Sequence, residues 1–124
     1  NPSQNQRSVL ANKSRADIFL SIHLNSFFKP YANGIETFYY KPKDKRLAAA
    51  LQTELAKTLS FKNIGVKKAM MYVLNHSTMP AALVEPGFIS NPKEAALLKR
   101  NSFRQKIAQA LYRGVLKYFG YESL

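Results

Sequence analysis

The chain has 124 residues, a length that suits one domain rather than two. Its hydrophobic content of 46%, including eight Phe and seven Tyr, is enough for one core and argues against disorder. The absence of Cys excludes disulfides and thiolate zinc sites, so a metal would need His and carboxylate ligands. The net charge of +12 favours polyanionic partners, such as nucleic acid, anionic lipid or anionic cell-wall polymers, without choosing among them.

The apolar stretches are far too short to span a bilayer, so stable membrane insertion is not expected. The first residues are polar and show no signal peptide. Because the chain begins abruptly and without an initiator Met, it reads as a processed or cut piece.

Helix-like and strand-like patterns alternate along the chain, which predicts an α/β layer architecture. Residues 4–15 predict a short helix whose apolar part is Val9 to Ala11. Residues 17–23 form a nearly continuous apolar run, typical of a strand buried on both faces. After a polar loop, residues 35–40 are rich in β-branched and aromatic side chains and predict a second strand.

Residues 44–59 predict an amphipathic helix with Leu at every fourth position, from Leu47 to Leu59. Gly65 and Val66 break the pattern, and residues 70–74 read as a short strand. Residues 81–85 (AALVE) predict another buried strand between Pro80 and Pro86.

Two helices are predicted in the last third of the chain. Asn91 is expected to cap the first, with Pro92 at its first position and Glu94 closing a capping box. The second covers about 102–119, carries one apolar face and ends at Gly120.

The chain has only two His residues. His23 ends a predicted buried strand, where functional groups gather in open α/β sheets. It is either a metal ligand or catalyst, or a core His bonded to backbone. His76 lies in a polar turn and is interpreted as a surface residue, with substrate contact at a cleft rim as the alternative.

Glu85 is the most informative acid, because it ends an apolar strand and Glu is rarely buried without a partner or a task. Partial burial would raise its pKa toward that of a general base, while an ion pair with Lys or Arg is the alternative.

Glu36 is interpreted as an edge-strand acid paired with a base, or as a residue that orients a ligand His. Asp17 is a strand-entry residue. His23 and Glu85 could face one crevice, but together they do not complete a three-ligand zinc site.

Three segments carry a family resemblance. Residues 16–26 (ADIFLSIHLNS), 34–40 (GIETFYY) and 79–91 (MPAALVEPGFISN) resemble, in order and spacing, segments of zinc-dependent N-acetylmuramoyl-L-alanine amidases of the amidase-3 type. Arg7 and the pair Ala11-Asn12 resemble the helix that precedes the first of these segments.

The resemblance implies a three-layer α/β domain, with a mostly parallel central sheet flanked by helices. It implies that His23 is a zinc ligand and that Glu85 is the catalytic general base. The expected enzyme is an extracytoplasmic, monomeric, autolysin-type peptidoglycan hydrolase. It would use a Zn²⁺-activated water to cut the amide between N-acetylmuramic acid and L-alanine.

The family's other two zinc ligands, a His and a Glu, precede the segments matched here. Residues 1–124 are therefore expected to be the C-terminal portion of a catalytic domain, with its first strands missing and no activity alone. Pro86 and Ile64 also depart from the family pattern. The alternative is a non-catalytic peptidoglycan-binding module. Nucleic-acid binding is not expected, since the basic residues are scattered along helix faces.

Overall fold

A four-stranded sheet with helices on both faces forms the fold, in a computed structural model that describes residues 2–121. The elements in chain order are α1 (Gln4–Ser14), β1 (Phe19–Ile22), β2 (Ile35–Tyr39), the 3-10 turn Pro42–Asp44, α2 (Lys45–Thr58), β3 (Asn63–Lys68), α3 (Tyr72–His76), β4 (Ala81–Glu85), α4 (Pro92–Leu98) and α5 (Asn101–Tyr118). Within residues 2–121, no helix combines the length and apolar composition needed to cross a membrane.

The strands lie in the order β1-β4-β2-β3. The pairs β1–β4 and β2–β3 are parallel, and only β2–β4 is antiparallel. The expected three-layer α/β fold with a mostly parallel sheet is thereby confirmed.

Strand β4 separates the two cores of the domain, because alternate side chains of a strand point to opposite faces. Ala82 and Val84 face the larger core, which α2 and α5 cover. Ala81 and Leu83 face a smaller core with Val73 of α3. Both faces of β4 are therefore buried, as its apolar sequence predicts.

Helices α2 and α5 pack closely on the larger core. The predicted leucine stripe of α2 is confirmed, since Leu47, Leu51 and Leu55 are fully buried. At Gly114 of α5, an added Cβ would lie 3.1 Å from the Leu51 Cα atom. The two helices can approach this closely because Gly114 has no side chain. The Arg113 side chain also donates to the Thr58 hydroxyl, at 2.7 Å, across the same contact.

Strand β1 is shorter and more exposed than the sequence predicts. Its neighbour in the sheet is β4 alone, so it is an edge strand within the described residues. The expectation of a strand buried on both faces is wrong at its end, where Ile22 is 53% exposed. The apolar run of residues 17–23 cannot reveal this, because it does not specify how many strands pair with it.

Helix α1 has the predicted position, but two residues of its apolar part are exposed. Val9 is 43% and Leu10 is 68% exposed, and the one buried residue of the helix is Ser8. Ser3 caps the helix, and its backbone N–H donates to the Gln6 side chain at 2.8 Å.

Residues 63–76 contain the largest error of the sequence interpretation. The sequence pattern predicts a strand at 70–74, but β3 occupies Asn63–Lys68 and a short helix begins at Tyr72. Gly65 does not end the pattern: it lies inside β3, at a φ of 111° that glycine adopts without strain. Pairing with β2 and packing of Val73 and Leu74 in the smaller core decide this region.

The two C-terminal helices begin close to the predicted residues, and the second also ends close to its predicted end. The Asn91 side chain accepts hydrogen bonds from the Lys93 and Glu94 backbone N–H groups, both at 3.0 Å, which confirms its role as N-cap. Gly120, at a φ of 84°, follows the end of α5. The capping-box expectation for Glu94 is wrong, because this carboxylate accepts from Gly34 and Phe88 instead.

The close contact of α2 with α5 predicts the effect of a side chain at position 114. Gly114→Val should lower the free energy of unfolding by about 1–3 kcal/mol, because its methyl groups clash with the α2 backbone. Ala108→Val on the exposed side of α5 is the matched control, and helix propensity limits its cost to about 0.7 kcal/mol. Urea denaturation measures both. Equal costs for the two variants would contradict the close packing.

Candidate active site

The carboxyl ends of β1 and β4 bring His23 and Glu85 together. In the parallel register Ile22 is paired with Val84, so the next residues of the two strands are His23 and Glu85. The His23 backbone N–H continues this pairing by donating to the Val84 carbonyl at 2.9 Å. His23 and Glu85 therefore lie side by side at the carboxyl ends of these strands, where the sequence analysis expects them to face one crevice.

A cleft of about 230 Å³ contains both side chains. Its walls come from the sheet, from α1 and from the region of α3. The lining residues are Gln4, Arg7, His23, Met71, Tyr72, Val73, Leu83 and Glu85. The cleft therefore places one imidazole, one carboxylate and one guanidinium around a space that fits part of a substrate.

His23 is half-buried in this cleft. Its Nε2 atom lies 3.1 Å from the Ser21 hydroxyl oxygen, two residues earlier on the same face of β1. This contact orients the ring along the strand. Of the two alternatives for His23, a ring buried in the core and bonded to backbone is not what the structure shows.

Burial raises the pKa of the Glu85 carboxyl, and the negative charge of Glu36 raises it further. Glu36 lies directly opposite Glu85 in the antiparallel pair of β2 and β4. Within residues 2–121, no Lys or Arg forms an ion pair with Glu85. The ion-pair alternative for Glu85 therefore finds no support in the described residues.

Glu36 is itself buried, and Lys67 Nζ lies 2.8 Å from its Oε2 atom. This contact lacks hydrogen-bond geometry, so it is an ion pair rather than a directed hydrogen bond. Pairing with a base agrees with the favoured interpretation of Glu36, but β2 is an inner strand and not an edge strand. His23, Glu85 and Glu36 thus lie in a row across three neighbouring strands.

The row does not form a metal-binding group. Among residues 2–121, no cluster of three or more His, Cys, Asp or Glu side chains is placed to hold a metal ion. A catalytic zinc site normally has three protein ligands and one open position. The described residues offer one imidazole at the cleft, so they fit a part of such a site and not the whole.

Glu94 holds the loops above the sheet edge, a role that the sequence interpretation missed. This buried carboxylate accepts from the Gly34 N–H at 2.9 Å and from the Phe88 N–H at 2.8 Å. Burial raises its pKa, while the two backbone hydrogen bonds oppose that shift. An acid at the third position of a helix is also the signal of a capping box, so the pattern alone cannot distinguish the two roles.

His76 lies outside the cleft. It is exposed at the end of α3 rather than in a turn, with its ring stacked on Tyr72 at a centroid distance of 3.8 Å. The surface interpretation is therefore correct, although the predicted local structure is wrong. Gln4 of α1 and Tyr72 of α3 also line the cleft. The sequence pattern does not identify them, because only the packing of these two helices brings them to the cleft.

A larger depression, of about 630 Å³, lies elsewhere, between Phe61 and α4. It is lined by Asn33, Ser60, Phe61, Lys62, Asn91, Pro92, Lys93, Glu94 and Leu97. It has no His, and its one carboxylate, Glu94, is already bonded to two backbone N–H groups. Its size therefore does not make it the better candidate for chemistry.

Comparison with known proteins gives consistent matches. Residues 1–117 match the amidase-3 family, described as N-acetylmuramoyl-L-alanine amidase. The chain is 40% identical over 121 residues to the N-acetylmuramoyl-L-alanine amidase LytC of Bacillus subtilis, covering 94% of the chain and 24% of LytC. It is 37% identical to the germination-specific N-acetylmuramoyl-L-alanine amidase of the same organism, covering 92% of the chain and 49% of that protein. The chain thus spans less than half the length of these relatives.

The solved structures show the same similarity. The catalytic domain of CwlV, an N-acetylmuramoyl-L-alanine amidase from Bacillus (Paenibacillus) polymyxa var. colistinus, matches with a TM-score of 0.93 at 31% identity, covering 98% of this chain and 68% of that one. An N-acetylmuramoyl-L-alanine amidase from Clostridium difficile 630 matches with a TM-score of 0.92 at 33% identity, covering 98% and 68%.

The buried Glu94 predicts a measurable loss when one acceptor oxygen is replaced. Glu94→Gln sets an NH₂ group against a backbone N–H, and should lower the free energy of unfolding by about 1–3 kcal/mol. Amide hydrogen exchange at Gly34 or Phe88 should also accelerate. Asp17→Asn, at an exposed acid, is the control and should stay within about 0.5 kcal/mol of the unmodified chain. Unchanged exchange at both amides would contradict the role of Glu94.

The raised pKa of Glu85 predicts how stability depends on pH. The folded chain holds the Glu85 proton more tightly than the unfolded chain, so the folded state loses stability as pH rises through the folded-state pKa. Glu85→Gln should therefore raise the melting temperature at pH 7, and this gain should vanish below the ordinary carboxyl pKa of about 4.3. Thermal unfolding between pH 3 and 8 measures the difference. A gain that grows toward acidic pH would show that the sign is wrong.

Proposed function

The chain belongs to the amidase-3 family of N-acetylmuramoyl-L-alanine amidases, and from this premise we propose that the protein hydrolyses the amide between N-acetylmuramic acid and L-alanine in peptidoglycan. The observation that carries the proposal is the side-by-side placement of His23 and Glu85 in one cleft at the carboxyl ends of β1 and β4. The family membership supplies the reaction, and the cleft supplies residues suited to it.

Glu85 is proposed as the general base and acid. Its raised pKa suits a group that takes a proton and later returns it. The attacking water loses a proton to Glu85 while its oxygen bonds to the lactyl carbonyl carbon. The carbon–nitrogen bond then breaks, and Glu85 transfers the proton to the departing L-alanine amine. Because Glu85 must be ionised to act first as base, activity should rise as pH passes upward through its pKa.

Zinc is proposed as the cofactor, with His23 as one of its ligands. When bound in sites of this kind, zinc lowers the pKa of water and polarises the scissile carbonyl. A three-ligand site needs donors in addition to those of residues 2–121. Residues 1–124 alone are therefore proposed to be a partial catalytic domain without activity.

The basic character of the chain supports peptidoglycan as the partner. The net charge is +12, and Arg7 lines the same cleft as Glu85. The stem peptides of peptidoglycan carry carboxylates, which Arg side chains bind well. A relative that is 32% identical is named as a probable cell wall amidase LytH of Staphylococcus epidermidis. The protein is accordingly proposed to act outside the cytoplasm, as a monomer.

A non-catalytic wall-binding module is the second candidate. The observation in its favour is that residues 2–121 contain no three-ligand metal group, while the chain is strongly basic. This candidate predicts binding to peptidoglycan sacculi without release of any amino group. The assay below separates it from the first, because only an amidase creates new L-alanine amino ends.

The test is digestion of purified peptidoglycan by the full-length protein with zinc, followed by counting of new L-alanine amino ends. Glu85→Ala should lower kcat/KM by about 10²–10⁴-fold, the usual contribution of a general acid–base residue. The exposed Asp17→Ala variant is the control and should keep full activity. Absence of new L-alanine ends, or full activity of Glu85→Ala, would overturn the proposal.

Zinc content tests the ligand role of His23 separately. His23→Ala should lower the bound zinc per protein molecule, whereas the exposed His76→Ala should leave it unchanged. Elemental analysis after dialysis against zinc-free buffer gives both values. Stoichiometric zinc in the His23→Ala variant would remove His23 from the ligand set.

A further inference from the structure

The loop between β1 and β2 must cross over the end of β4. It leaves β1 at His23 and enters β2 at Ile35, but β4 lies between those two strands in the sheet. Glu36, near the start of β2, is opposite Glu85, at the end of β4. Residues 24–34, here called the crossing loop, therefore pass over the sheet edge that carries Glu85.

The crossing loop is fastened to the segment that follows Glu85. The Asn25 N–H donates to the Gly87 carbonyl at 2.8 Å, and the Ile89 N–H donates back to the Asn25 carbonyl at 2.8 Å. The Phe27 N–H donates to the Ser90 hydroxyl at 3.0 Å. The Asn91 side chain donates to the Pro30 carbonyl at 3.2 Å. The loop thus has a defined position relative to the candidate active site.

Aromatic side chains project from this fastened loop into solvent. Phe28 is 82%, Tyr31 is 65% and Phe27 is 43% exposed. The rings of Phe27 and Phe28 lie 4.4 Å apart, and Lys29 Nζ lies 5.5 Å from the Phe28 ring and 5.8 Å from the Tyr31 ring. Single exposed apolar residues are ordinary, but neighbouring exposed rings on one loop form a candidate binding surface.

The composition of the crossing loop indicates which ligand fits. Residues 24–34 contain three aromatic residues and one charged residue, Lys29. A single cation is a weak device for holding a polyanion or an anionic membrane, each of which is bound by several positive charges. Flat, exposed rings instead suit a ligand with an apolar face and a polar rim. A pyranose ring has this form, with C–H groups on its face and hydroxyl and acetamido groups at its edge.

We propose that Phe28, Lys29 and Tyr31 form a stacking platform for a sugar ring of the peptidoglycan glycan strand. The rings pack against the sugar's C–H face, while Lys29 and the Tyr31 hydroxyl bond its polar rim. The platform lies on the loop that crosses the carboxyl end of β4, which is the end of the sheet that carries Glu85. This inference rests on the proposed function for the identity of the polymer, but the platform is a binding site and takes no part in the bond cleavage.

The test measures binding of the full-length Glu85→Ala protein to purified sacculi stripped of anionic wall polymers, where the substitution prevents digestion. Adding Phe28→Ala and Tyr31→Ala should weaken binding about tenfold, as truncation of two aromatic anchors does in other interfaces. The matched control adds Tyr112→Ala and Tyr121→Ala, two aromatics that are 64% and 65% exposed. This control should bind as the parent protein does.

A conservative pair separates ring stacking from general hydrophobic contact. Phe28→Tyr should keep binding, because it retains the ring face, whereas Phe28→Leu should lose most of what Phe28→Ala loses. Equal binding by Phe28→Leu and the parent would overturn stacking. Because Phe28 is exposed, its substitution should not unfold the protein. Circular dichroism of each variant checks that the fold is intact.

Two further probes identify the ligand. On peptide-free glycan strands the double variant should show the same loss, because the platform contacts sugar. A loss seen only with sacculi that retain anionic polymers, or with vesicles of anionic phospholipid, would overturn the proposal. Unchanged glycan binding together with release of L-alanine ends by the Glu85-containing protein would overturn the platform alone. Weakened glycan binding without any L-alanine release by that protein would overturn the proposed reaction and leave the platform standing.

Discussion

Strand β4 is the constraint on which the rest of the structure depends. It is hydrogen-bonded to β1 on one side and to β2 on the other, and its side chains enter both cores. The parallel pairing on one side brings His23 next to Glu85. The antiparallel pairing on the other brings Glu36 opposite the same residue. A slip of one residue would turn the Glu85 side chain to the other face of the sheet.

Two acids show how surroundings decide the behaviour of a carboxylate in this basic chain. Glu54 is bonded to Lys117 and lies beside Lys57, so its pKa is lowered and it stays ionised as a structural link between α2 and α5. Glu85 is also partly buried but has a second acid as its neighbour, so its pKa is raised. Such a raised pKa costs stability and is typical of groups that exchange protons in a cleft.

Hydrogen bonds fix the loops at the carboxyl end of β4 in place. Glu94 joins the start of β2 to the segment after Glu85, and the crossing loop adds further hydrogen bonds to that segment. Loops carry function when a rigid scaffold positions them. The buried carboxylate of Glu94 and the exposed rings of the crossing loop are therefore both fixed to the segment that follows β4.

The sequence by itself determined the elements whose signals are local. The leucine repeat of α2, the apolar run of β4 and the Asn91 cap are read from neighbouring residues, and all three are confirmed. The joint placement of His23 and Glu85 followed from strand ends alone. Only the tertiary structure decided that β1 is an edge strand within residues 2–121, that residues 63–68 form β3, and that Glu94 bonds the backbone of Gly34 and Phe88. These features depend on contacts with other segments of the chain. Local periodicity does not specify which strand pairs with which, or which backbone groups a carboxylate binds.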